Sequence, residues 1–184
     1  MKYALYAILV MFLASCAPKP AVPPGKPVPP GKAYMEERFK SKDAVDRVSI
    51  GGTGTTFYYD KRLWTVKSDE GSRIEFNARR FANAQIFSYD EAIPMTDIYK
   101  KLVEGYGLKE AQLLESEFIR VNGEVVVYNK IDGKYGRKHI VILSYGYSDK
   151  GRTVITHGYI YKSMLRDETE AEIVDFLNGF VAGK

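Results

Sequence analysis

Reactive side chains are scarce in this sequence. Among 184 residues there are one cysteine, Cys16, two histidines, His139 and His157, and one tryptophan, Trp64. A single thiol excludes any disulfide within the chain. Two histidines exclude the three-histidine zinc sites, and no Cys or His cluster with ligand spacing is present. Motifs that carry familiar chemistry are missing as well: there is no His-Glu-x-x-His, no Ser-x-x-Lys and no Walker loop, and Ser144 has Ile142 where a Gly-x-Ser-x-Gly elbow would place its first glycine. No run reaches the roughly 20 apolar residues a membrane-spanning helix needs. The residues therefore assign no catalytic group, no cofactor and no metal, and the chain reads as a protein other than an enzyme. A hydrolase with an unfamiliar site is the weakest of the readings that remain.

Proline is equally uneven. Seven of the eight prolines lie between Pro18 and Pro30, and only Pro94 stands beyond them. Proline fixes φ and lacks an amide donor, so Ala17 to Lys32 is expected as an extended spacer. At about 3.1 Å per residue it reaches up to roughly 50 Å. The tetrad Pro-Pro-Gly-Lys occurs twice in it. Charge follows the same division. The formal net charge is +4, yet from Ala44 to Lys184 there are 20 basic and 20 acidic residues, so the surplus belongs to the leader and the spacer. A charge-balanced domain argues against nucleic acid as a partner, because phosphate binding needs a basic face.

At the amino terminus, Lys2 precedes an uncharged apolar stretch, Tyr3 to Ala14, that is too short to span a bilayer. It closes on Leu13-Ala14-Ser15-Cys16, which resembles the bacterial lipobox. The resemblance implies that Leu13, Ala14 and Ser15 are read by a signal peptidase and that Cys16 carries the lipid as the first mature residue. Two or more acyl chains hold a protein on a membrane essentially permanently. Ala17 follows the cysteine where enteric-type inner-membrane lipoproteins have aspartate, which implies an outer-membrane address facing the periplasm. The expected organisation is a signal peptide over 1–15, a lipidated cysteine with a proline-rich tether over 16–43, and one domain over 44–184.

Within that domain, Thr55–Tyr59 and Leu63–Lys67 read as a hairpin, followed by strands over Ser72–Phe76 and Ala84–Tyr89. Glu36–Val45 reads as a short helical lead-in. Ile98, Tyr99, Leu102, Val103 and Tyr106 recur at helical spacing behind Pro94 and ahead of Gly107. The Asn122-Gly123 pair predicts a tight hairpin joining Leu113–Val121 to Glu124–Ile131, with a longer loop beginning at Asp132-Gly133. Lys138–Tyr147 and Thr153–Tyr161 form the next hairpin around a five-residue loop. A closing helix has Asp167 and Glu170 as a capping box and a stripe of Ile173, Val174, Phe176, Leu177, Phe180 and Val181. This order gives an α+β fold: an antiparallel β-sheet meander with two amphipathic helices packed on it.

The order, and an opening that reads Phe57-Tyr58-Tyr59 to Trp64-Thr65-Val66, resemble the PsbP-like superfamily, which includes DcrB-like bacterial proteins. Asp60 stands where that family often has proline. The resemblance implies a fold and a binding or scaffolding habit, with no shared catalytic residues.

The remaining candidate surface is aromatic. Pairing Tyr147 with Thr153 places Tyr145, Tyr147, His157, Tyr159 and Tyr161 on one sheet face, with Ile140, Ile142, Val154 and Ile160 on the other. In this register His139 and His157 share a face about 13 Å apart, too far for one metal. Helices over the isoleucine face would leave the tyrosines as a contact surface for protein or sugar. The plainer reading is that tyrosine merely completes the packing. Gly51 to Thr56 reads as a turn and not a phosphate cradle, and Glu115, Glu117 and Glu124 as solvated strand-end charges and not a cation site. Taken together, the sequence predicts a lipid-anchored module of the bacterial envelope that binds or scaffolds another envelope protein, the alternative being a small-ligand or glycan binder.

Overall fold

Alternation of apolar and polar residues, rich in β-branched and aromatic side chains, makes strands of much of the chain. The computed structural model describes residues 35–79 and 82–183. In chain order the strands are Glu37–Arg38 (β1), Asp46–Ile50 (β2), Thr55–Tyr59 (β3), Trp64–Asp69 (β4), Arg73–Ala78 (β5), Asn83–Tyr89 (β6), Lys109–Val121 (β7), Glu124–Tyr135 (β8), Lys138–Asp149 (β9), Arg152–Tyr161 (β10) and Phe180–Val181 (β11). The helices are Ile98–Tyr106 (α1) and Asp167–Leu177 (α2). Eight strands form one sheet in the order β1-β7-β8-β9-β10-β6-β5-β4, and β11-β3-β2 form a smaller one. Among the described residues, only the short β1–β7 pair is parallel.

The expected α+β architecture is what forms, with the helices on opposite faces of the large sheet. On one face, Ile98, Leu102 and Leu108 from α1 and its exit pack on Val127, Ile142 and Ile155. On the other, Ile173, Phe176 and Leu177 of α2 join Phe57 and Phe180 of the small sheet against Trp64 and Phe76. Each helix is bounded by local chemistry. α1 stops at Gly107, whose φ of 59° is the left-handed C-cap conformation and whose amide donates back to the Val103 and Glu104 carbonyls. α2 starts when the Thr169 hydroxyl accepts from the Arg166 amide at 2.9 Å, while Asp167, Glu168 and Glu170 place negative charge at the positive end of the helix dipole. The cap is thus Arg166 with Thr169, one residue earlier than the expected Asp167 with Glu170.

Several local expectations are corrected. Glu36–Val45 is no helix; Glu37–Arg38 pairs with Arg120–Val121 of β7, so ordered structure reaches into the span assigned to the tether. β3 and β4 are not a hairpin. Asp60 accepts from the amides of Leu63 and Trp64, and this tight turn carries the chain from the small sheet to the large one. Asp132 and Gly133 lie inside β8, where a Cβ at position 133 would sit 2.9 Å from Leu108 Cδ1, so glycine there serves close packing and not a loop. Phe180 and Val181 leave the helical stripe and form β11 against Phe57 and Thr56. The expected signal peptide and lipobox, Leu13 to Cys16, and most of the tether lie outside the described residues.

Candidate functional site

The face of the large sheet beneath α1 carries a cleft of about 310 Å³. Its walls are set by strand alternation. Odd-numbered residues of β6 and β10 point to this side, which brings Gln85, Phe87 and Tyr89 beside His157 and Tyr159. α1 contributes Lys101, Gly105 and Tyr106 from above, and β5 contributes Arg73. Tyr135, half exposed at 52 %, closes one end. Five aromatic rings therefore line one hollow.

His157 lies beneath this lining, bonded to Tyr106. The imidazole is fully buried and stacks on Phe87 with centroids 5.4 Å apart and planes at 24°. Its Nε2 shares a 2.7 Å hydrogen bond with the Tyr106 hydroxyl, which also lies 3.4 Å from Gln85 Oε1. Tyr106 meets Tyr159 edge-on at 5.5 Å. Burial, reinforced by the nearby Arg73 cation, pulls the His157 pKa down to about 3, so the ring is neutral at physiological pH. Burial likewise raises the Tyr106, Tyr159 and Tyr89 hydroxyls, which stay protonated. The floor consequently offers uncharged donors and acceptors. Charge sits at the rim, where Arg73 lies 5.5 Å over Phe87 and Lys101 5.1 Å over Tyr89. Both cations are partly matched, Arg73 by Glu75 at 2.6 Å and Lys101 by Glu91 at 3.2 Å. Hydrogen bonding from Lys67 is the chief cause holding the Glu75 carboxyl below the usual range, so it too is ionised.

A second hollow, of about 340 Å³, lies among Thr53, Thr55, Tyr147, Asp149, Lys150 and Arg152. It is slightly larger, but strand ends and turns form it, and Arg152 is already spent on the Gly52 carbonyl at 2.7 Å. The α1 cleft, with a buried polar floor and apolar walls, has the character of a binding site.

No family model matches the sequence, and no curated protein is detectably similar to it. Solved structures are. The solution structure of cyanobacterial PsbP (CyanoP) from Synechocystis sp. PCC 6803 overlaps 88 % of this chain and 99 % of its own at a TM-score of 0.53 and 15 % identity. The fold is PsbP-like. A Bacteroides thetaiotaomicron VPI-5482 structure, about half of which is covered, and a Pseudomonas aeruginosa protein of unknown function overlap at TM-scores of 0.47 and 0.44 with 12 % identity each.

Within this PsbP-like frame the sequence-derived tyrosine surface divides. The structure pairs Tyr147 with Val154, one residue off the expected Thr153. The cause is the turn: Lys150 and Gly151, at φ of 49° and 82°, make a two-residue connection that sets Asp149 opposite Arg152, where a five-residue loop was expected. A one-residue slip inverts faces. Tyr145 and Tyr147 accordingly point toward α2 and the small sheet, Tyr145 being buried with its hydroxyl donating to Asn178 Oδ1 at 2.8 Å. His157, Tyr159 and Tyr161 face α1, and of these Tyr159 lines the cleft while His157 lies beneath it against Tyr106. His139 pairs with Lys134 on the opposite face from His157, which corrects their expected shared side.

Glu115 and Glu117 lie within ion-pair range of Lys130 and Arg38, at 3.6 and 3.7 Å. Among the described residues, no group of three or more His, Cys, Asp or Glu is placed to hold a metal ion. Gly51–Gly54 is a turn leading into β3. Residues the sequence reading missed are Arg73, Gln85, Phe87 and Tyr106. The alternation Asn83, Gln85, Phe87, Tyr89 against Ala84 and Ile86 was a visible signal for Gln85 and Phe87 alone, since it gives β6 a polar-aromatic side and an apolar side.

Proposed function

We propose that this chain is a lipid-anchored binding module of the bacterial cell envelope that holds another envelope component in the cleft beneath α1. The cleft carries the reading. Aromatic walls, a neutral hydrogen-bonding floor and two rim cations form a recognition surface, and no covalent step is assigned to it. The address rests on the resemblance of Leu13-Ala14-Ser15-Cys16 to a lipobox and on the spacer behind it. The charge balance of the domain favours a protein or carbohydrate partner over nucleic acid.

A glycan-bearing component is favoured by one particular observation. Tyr106 and Gln85 can each donate and accept, as sugar hydroxyls do, while Tyr159 and Tyr135 offer apolar ring surface.

Gly105 gives the test. It lines the mouth from α1, its φ is not left-handed, and a Cβ built on it meets nothing within 4 Å. Gly105→Leu should fill the mouth while improving helix propensity, leaving thermal stability equal or higher. Affinity capture from detergent-solubilised envelopes should enrich a component on the wild-type chain and at least about tenfold less on the variant, a loss of about 1.4 kcal/mol. Equal enrichment on both would remove the cleft from the function.

The anchor is tested separately. Cys16→Ser should move the chain from the membrane pellet to the supernatant after an alkaline wash, because no acylated residue would remain. A variant that still sediments with membranes would show that something other than this lipid holds the protein.

A further inference from the structure

Directly across the sheet, on the α1 face, one row of side chains is polar from end to end. Ser116, Asn129, Ser144, His157, Gln85 and Glu75 come from six adjacent strands, and each is the cross-strand partner of the next. The row spans roughly 24 Å at about 4.8 Å per strand. Its neighbours on the same face are mostly apolar: Val127, Gly146, Ile155 and Phe87 lie on one side, and Ile131, Ile142 and Tyr159 on the other. Packing alone would place apolar residues there too.

Hydrogen bonds run inward from both ends. Ser116 Oγ donates to Asn129 Oδ1 at 2.9 Å. From the cleft side, Gln85 Nε2 lies 3.4 Å from Glu75 Oε1, Gln85 Oε1 is met by Tyr106, and Tyr106 joins His157 Nε2. In the middle stand Asn129 Nδ2, Ser144 Oγ and His157 Nδ1, three buried polar atoms without a partner among the described residues, on residues that are at least 99 % buried. Native proteins seldom leave such atoms unpaired, and the usual partner of a buried polar atom that lacks one is ordered water.

The chemistry of the three atoms selects the ligand. Asn129 Nδ2 can only donate and Ser144 Oγ both donates and accepts; with the single Tyr106 hydroxyl proton directed to Gln85 Oε1, His157 Nε2 donates to Tyr106 and Nδ1 is left as an acceptor. A carboxylate cannot donate to an acceptor in this set, and an ammonium cannot accept from the amide. A hydroxyl can do both. We propose that the segment Asn129–Ser144–His157 is a built site for hydroxyl groups, bridging Asn129 to Ser144 and Ser144 to His157 and completing a hydrogen-bonded row from Ser116 to the cleft. Two sources supply that chemistry, water and the hydroxyls of a sugar entering under α1. The sugar source rests on the cleft reading above, and the water source does not.

Ser144→Ala in the full chain separates occupied from empty, because it removes one oxygen with almost no change in volume. If a hydroxyl bridges there, the variant loses net hydrogen bonding, and its thermal midpoint should fall by about 3 °C, roughly one hydrogen bond in a domain of this size. If Oγ is simply stranded, its removal relieves a desolvation cost. An unchanged or raised midpoint would overturn the proposal. Water-to-protein NOE spectra of the wild-type chain give the second readout. Long-lived water at the Asn129 side-chain amide and the Ser144 amide, displaced by saturating N-acetylglucosamine, would identify the sugar source. The same signals persisting unchanged would identify water. Either supports the site, whereas no such signal together with no sugar-induced shift at Asn129 would sink it. Should the cleft reading alone be wrong, N-acetylglucosamine would fail to bind while the water signals and the fall in the Ser144→Ala midpoint remained.

Discussion

Replacing Phe176 with alanine should destabilise the domain by about 3–5 kcal/mol, the range for removing a large aromatic side chain from a packed core. The ring is 3 % exposed and meets three others, Trp64 at 4.2 Å, Phe57 at 4.6 Å and Phe76 at 5.1 Å between centroids. These neighbours belong to different layers: Trp64 and Phe76 lie on the large sheet, Phe57 on the small one, and Phe176 alone comes from α2. Truncation would thus open a cavity where three elements converge, with no single backbone shift able to close it. Against a typical total of 5–15 kcal/mol, a loss of this size is a large fraction of the whole. At about 3 °C per kcal/mol for a domain of this length, the midpoint should drop by roughly 10 °C or more. Phe176→Leu, which retains most of the volume, should cost clearly less. Urea titration of both variants decides the matter, and a Phe176→Ala loss below about 1 kcal/mol would mean that α2 is not docked as described.

The second large effect concerns acid. Buried and neutral, His157 has its pKa drawn from an ordinary 6.5 to about 3. The unfolded chain therefore binds this proton more tightly than the folded one. Stability is at its full value above pH 6.5 and declines as pH falls toward 3, with one proton giving about 1.4 kcal/mol per pH unit. Between pH 6.5, where the unfolded histidine is half protonated, and pH 5, above the range where ordinary carboxylates titrate, the expected loss is about 1.6 kcal/mol. His157→Gln should flatten that slope while lowering stability at pH 7, since the stack on Phe87 and the bond to Tyr106 both change. Denaturant midpoints of the two proteins at pH 6.5 and pH 5 provide the measurement. Parallel slopes would show that His157 becomes charged inside the folded protein without penalty.

How much of this was legible in the sequence depended on whether local chemistry or distant packing made the decision. Asn122-Gly123 announced its hairpin because both residues take positive φ, 50° and 91°, which few other pairs do. The span of α1 followed from its apolar period and from Gly107. Lys150-Gly151 was less visible: lysine carries no turn signal of its own, and its left-handed conformation is imposed by the long strands on either side. That one missed turn moved the β9–β10 register by a residue and with it the whole assignment of faces. Asp60 misled in the opposite way. Its surroundings look like a hairpin loop, yet the partners of β3 are β2 and β11, and β11 lies more than 120 residues downstream. The cleft was out of reach for the same reason. Tyr106 and His157 are 51 positions apart, and only the order β10-β6-β5 with α1 laid across it brings Arg73, Gln85 and Phe87 to them.

Asn122 has a further role beyond its turn. Its side-chain amide donates to the carbonyls of Asn178 and Phe180 at 2.8 and 2.6 Å, its Oδ1 accepts from Lys40, and its own amide donates to Arg38. Tension applied to the chain ahead of Glu36 would reach β1 first and pass directly into this residue, which is also clasped to the segment around β11. A load drawn through the amino-terminal side would therefore divide at Asn122, part passing into the β7–β8 hairpin and part into the residues around β11, so no single strand would bear it alone.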